Sequence, residues 1–109
     1  MDVKYAAHDR IYIYVNGERS VGMLADLRVL ICEFEEVTLS VSDHFHDYEW
    51  CLISFKKVDG WIHHHCRAVS GWIYPLKLKQ SHVTLLEIRQ KITPKQLGTS
   101  LIACLGRTF

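Results

Sequence analysis

The chain moves between two rhythms of apolar and polar positions, and the change from one to the other predicts its layout. From Ile11 to Val15 the residues are β-branched or aromatic, and they run into Asn16-Gly17. That dipeptide favours the positive φ angles of a tight hairpin, so the spacing predicts a strand and then a turn. Val37, Leu39 and Val41 alternate with Thr38, Ser40 and Ser42, the pattern of a half-buried strand. Trp50 to Phe55 and Trp61 to Ala68 read as two more strands, turned back on each other through Lys56 to Gly60. Val69-Ser70-Gly71 then leads into Trp72 to Leu78, where Trp72, Tyr74, Leu76 and Leu78 share one face. Pro75 removes a ladder donor there, which suits an edge strand or a bulge. Strands joined by short turns make an antiparallel meander.

Two stretches carry helical spacing instead. Residues 21–32 place Val21, Leu24, Leu27 and the run Val29-Leu30-Ile31 on an apolar stripe beginning after Ser20. The same residues also fit the second arm of the hairpin and a further strand. The helix is preferred, because Met23 to Arg28 is rich in helix formers. From Ser81 onward Leu85, Ile88 and Ile92 are three and four apart. Thr93 then suits an N-cap and Pro94 a first helical position. Leu97, Leu101, Ile102 and Leu105 form the next stripe, and Gly106 is placed to end it. The expected fold class is α+β: a mainly antiparallel sheet (β-meander) over residues 11–78, with one possible N-terminal helix and two C-terminal helices over residues 82–106 packed on it. Residues 1–109 are expected to form a single domain.

Composition supports a globular chain. Of its 109 residues 49% are hydrophobic and 23% charged, enough to build a core without disulfides or a metal. No secretory signal is read at the N-terminus, and no run approaches the roughly 18 apolar residues that suggest a membrane helix. A cytoplasmic location and no membrane partner are therefore expected. Cys32, Cys51, Cys66 and Cys104 form no Cys-x-x-Cys pair and have apolar neighbours, so they read as free thiols in the core.

Charge is divided unevenly along the chain. Net charge is only +1, yet residues 1–55 carry ten acids against four bases, and residues 56–109 nine bases against two acids. Such asymmetry marks either a surface for a charged partner or acidic strands lying beside basic ones. Glu33, Glu35, Glu36, Asp43, Asp47 and Glu49 fall in a segment without lysine or arginine. This segment is the expected contact for a basic protein partner, since single-sign surfaces steer association. Lys56, Lys57, Lys77 and Lys79 offer the contrasting outcome, neutralisation across the sheet.

Three further constellations carry chemistry. The C-terminal helix pair resembles in outline a helix-turn-helix. Arg89, Lys91, Lys95 and Arg107 would neutralise phosphates, and Gln96, Thr99 and Ser100 would face base edges. The second is histidine: His44 and His46, like His63 and His65, are two apart and would point the same way on a strand. Two such pairs brought together offer imidazoles to zinc, with Asp43, Asp47 or Glu49 as ligand or general base, while His64 and Cys66 face the opposite side. The third is aromatic: Trp50, Trp61, Trp72, Tyr48, Tyr74, Tyr12 and Tyr14 suit stacking of single-stranded bases, a protein hot spot, or simply a core.

No Gly-x-Ser-x-Gly elbow or Gly-rich phosphate loop is present, so nothing in the motifs points to nucleophilic or phosphate chemistry. The leading expectation is a small stand-alone protein-binding module of the inhibitor, immunity or antitoxin kind, not an enzyme and without a cofactor. The alternatives are a nucleic-acid-binding protein using the basic C-terminal helices, and a small zinc-dependent enzyme using the histidine pairs.

Overall fold

Asn16 and Gly17 take φ angles of 49° and 84°, the paired positive values of the mirror-image hairpin turn. They join β1 (Arg10–Val15) to β2 (Glu18–Arg19), which is only two residues long. The same turn is tied to the sheet behind it. Asn16 N–H donates to the Glu36 carbonyl at 2.8 Å, and Asn16 Oδ1 accepts from Glu36 N–H at 3.0 Å. The computed structural model describes residues 9–22, 24–42, 49–70 and 84–105.

After β2, Ser20 Oγ accepts from Gly22 N–H, and a 3₁₀ turn (Leu24–Asp26) runs into α1 (Leu27–Glu33). Leu27 and Ile31, four apart, face the core, while Val29 is exposed. Lys57 Nζ donates to the Cys32 carbonyl at 2.6 Å, satisfying one of the acceptors that a helix end leaves open. The helical segment begins later than its stripe suggests, because Val21 lies fully in solvent. Among the described residues of the stretch 21–32, only the six from Leu27 to Cys32 are α-helical, and the helix ends at Glu33.

The remaining strands form a meander: β3 (Glu36–Ser42), β4 (Glu49–Val58), β5 (Trp61–Ser70) and β6 (Thr84–Ile92). Every pairing is antiparallel, and the strand order is β2-β1-β3-β4-β5-β6. Val41 pairs with Cys51 but Ser42 with Glu49, which leaves Trp50 as the extra residue of a bulge. Asp59 and Gly60, at φ 51° and 81°, repeat the tight turn between β4 and β5.

One expectation is overturned here. The first of the two C-terminal helices is instead β6, laddered to β5 at all nine positions from Thr84 to Ile92. Ile88 and Ile92 are four apart, a spacing that puts residues on one side of a helix and also on one side of a strand. Local propensity does not separate the two, and the ladder decides. The second helix is present as α2 (Leu97–Leu105), entered through a 3₁₀ turn (Pro94–Gln96) with Thr93 as N-cap and Gln96 Oε1 accepting from Thr93 N–H at 2.9 Å. The strand expected at Trp72–Leu78 and the stop at Gly106 lie outside the described residues.

The core lies between one face of the sheet and the two helices. Val37, Leu39, Val41, Cys51, Ile53, Phe55, Ile62 and Cys66 meet Leu27 and Ile31 of α1 and Leu97 and Leu101 of α2 in one cluster. The helices are neighbours: a Cβ on Gly98 would sit 3.5 Å from the Arg28 guanidinium, an ordinary contact with a flexible side chain. Glycine within a helix costs about 0.5–1 kcal/mol relative to alanine. Gly98→Ala is therefore expected to raise stability by about that amount, read as a higher urea midpoint. A lower midpoint would mean that α1 and α2 approach more closely than this.

Candidate functional site

With both described helices on one side, the opposite face of the sheet is the surface that strand alternation leaves for solvent or a partner. From β1 it takes Tyr12 and Tyr14, and from β3 Thr38 and Ser40. The antiparallel registers of β4, β5 and β6 align its other half into rows. Lys56 lies beside His63 and Lys91, Ser54 beside His65 and Arg89, and Leu52 beside Arg67 and Glu87. Neighbours within a row are one strand spacing apart, about 4.8 Å, and successive rows are about 6.8 Å apart.

This half is basic. Lys56, Arg67, Arg89 and Lys91 are all exposed; Glu87 is the one carboxylate of β4, β5 and β6 among the described side chains of these rows, and Glu36 of β3 lies beside Lys56 at the end of its row. Glu87 Oε1 accepts a hydrogen bond from Arg89 Nε at 3.0 Å, and His65 Nε2 lies 3.8 Å away. The Arg89 hydrogen bond holds the Glu87 carboxyl below its ordinary range; the charges of Arg89, His65 and Arg67 act in the same direction, against some loss of hydration. Trp61, 41% exposed, stands at the end of this surface with Lys91 Nζ 5.1 Å from its ring centroid. Across the sheet the Arg19 guanidinium lies 4.2 Å above Tyr12. The end near β3 is less open, since Ser40 and Ser42 are buried and the Ser40 hydroxyl donates to Glu49.

His63 and His65 share this face, as their spacing predicts, but their neighbours are Lys56, Lys91, Arg67 and Arg89, which repel a cation. His44 and His46 lie outside the described residues; among the described residues no group of three or more potential ligands is placed to hold a metal. His64 points the other way, into the core. It is 3% exposed and stacks on Phe55, with ring centroids 4.7 Å apart and planes 3° from parallel. Cys66 and Cys51 are buried as expected, whereas Cys32 is exposed on α1, a departure from its expected place in the core. The Cys104 side chain lies outside the description.

The acidic set is divided. Glu33, Glu35 and Glu36 meet where α1 ends and β3 begins, while Glu49 lies opposite Ser42 at the far end of β3. Asp43 and Asp47 are outside the described residues. The set drawn from the C-terminal segment divides as well. Arg89 and Lys91 join the open face; Lys95, Gln96, Thr99 and Ser100 belong to the helical layer, and Arg107 is outside the description. Without a first helix there is no helix-turn-helix, and Gln96 is occupied in capping.

Lys56, Arg67 and Trp61 are the members that sequence reasoning did not join to Arg89 and Lys91. Parity was the available signal. Trp61, His63, His65, Arg67, Glu87, Arg89 and Lys91 all occupy odd positions, and Ile62, Cys66, Ala68, Ile88 and Ile92 even ones.

No family model, curated protein or solved structure matches the chain. Among the described residues no helix is long and apolar enough to cross a membrane.

Proposed function

We propose that this chain is a small binding module that holds an anionic partner on the open face of its sheet. One observation carries the reading. The helices cover one face, and on the other Lys56, Arg67, Arg89 and Lys91 are exposed together beside an exposed tryptophan. A basic field of this kind raises encounter rates with oppositely charged surfaces and fixes the orientation of arrival. The asymmetry in the sequence takes on a spatial meaning here, because the strand order separates Glu18 of β2 and Glu36 of β3 from β5 and β6.

The test is affinity capture from the cells that make the protein, using three versions of the chain. The native chain should retain its partner. A variant carrying Lys56→Glu, Arg67→Glu, Arg89→Glu and Lys91→Glu should release it, while keeping the native circular dichroism. A control with Glu33→Lys and Glu35→Lys, at the edge of α1, should still bind. Retention by the fourfold variant, or loss by the control, would move the contact to the acidic end and defeat the proposal.

A further inference from the structure

We infer that the occupant of the open face is a single-stranded nucleic acid, laid across β4, β5 and β6 with Trp61 as a stacking platform; this rests on the reading of that face as the binding surface. Four cations of one sign recur over three strands at intervals set by the sheet, along the strand and across it. Such a lattice suits a ligand whose own charge repeats. Phosphates along an extended single strand repeat in this way. An acidic protein loop places its carboxylates irregularly.

Trp61 supplies the second requirement. A large, partly exposed ring with a cation at its face stacks on any base, because every base has a π-face. A duplex hides those faces within its own stack, so an aromatic sheet surface selects unpaired bases. The partner surface favoured by a protein hot spot is a desolvated pocket around a buried anchor. Among the described residues one hollow runs along Ile11–Ile13 and Arg19–Gly22, and another lies at the Asp59-Gly60 turn against Glu35, Ile62 and Pro94. The β5–β6 face instead presents charge and a ring.

Labelled twelve-nucleotide strands of uridine and of thymidine, a duplex of the same length, and polyglutamate test this by fluorescence anisotropy with the full chain. The single strands should bind more tightly than the duplex and than polyglutamate. Preference for uridine would assign RNA, and preference for thymidine DNA. With four phosphate contacts the logarithm of affinity should fall against that of salt with a slope of about −3, and Arg67→Ala should make it shallower by about 0.7. Trp61→Ala, exposed and so not expected to disturb folding, should weaken binding by about 5- to 150-fold. Binding no tighter than polyglutamate, or an unchanged affinity for Trp61→Ala in a chain that melts normally, would overturn the inference. If the strands fail to bind while the fourfold charge reversal still releases the captured partner, the open-face reading stands and only the nucleic-acid occupant falls. If the fourfold variant keeps that partner as well, both fall.

Discussion

Phe55→Ala is expected to destabilise the protein by about 3–5 kcal/mol, among the larger losses available to a single core truncation. Phe55 is 2% exposed and sits on β4, a central strand, between Val37 of β3 and His64 of β5. Removing its ring deletes buried apolar area and also leaves the imidazole of His64 without the surface it stacks on. Neighbouring strands hold the backbone on both sides, so the cavity has little freedom to collapse. For a domain of this size the melting temperature should fall by roughly 15–25 °C. Thermal melting with urea unfolding checks both numbers. A loss below about 1 kcal/mol would mean that the sheet and helices do not close over this position as described.

His64→Leu is expected to act in the opposite direction, raising stability by about 1–2 kcal/mol. Its side chain is buried, yet neither ring nitrogen has a hydrogen-bond partner among the described residues. An imidazole taken from water without compensation carries a desolvation penalty, and leucine of similar volume removes it. Loss of the stack on Phe55 offsets part of the gain, by about 0.5–1 kcal/mol. The two substitutions share a contact, so their effects combined should differ from the sum of the separate ones. Urea midpoints of the four species form the cycle. A His64→Leu protein less stable than the native chain would show that the ring makes polar contacts in solution, and that it holds its place for them.

Much of the sheet was legible because its signals are local. Asn16-Gly17 names its own turn, and the alternation of Val37, Leu39 and Val41 places one side of β3 in the core without reference to any partner. β6 was not legible in this way. Ile88 and Ile92 satisfy both rhythms, and what separates strand from helix there is pairing with β5, a contact from outside the segment. The candidate face suffered in consequence. While residues 84–92 read as a helix, Arg89 and Lys91 belonged with Lys95 and Gln96; only as a strand do they fall in register with His63, His65 and Lys56. The histidine triplet was legible as to sides, since alternation alone sends His64 one way and its neighbours the other. Its surroundings were not, because Phe55 reaches it across a ladder.

The two-residue turn at Asp59-Gly60 also bears on how the chain reaches this arrangement. The entropy lost in closing a loop grows with the length of chain it spans, so among the described residues β4 and β5, like β1 and β2, meet at the lowest cost, and theirs is the longer ladder, eight paired positions against two. The β1–β3 ladder must instead gather the whole stretch from Asn16 to Glu36 before its first pair, Val15 with Val37, forms. A chain assembled from such unequal closures has a natural site of initiation. The β4–β5 hairpin carries Phe55 and His64 on one side and Lys56, His63 and Arg67 on the other, so its closure aligns the centre of the core and the centre of the basic face in the same step.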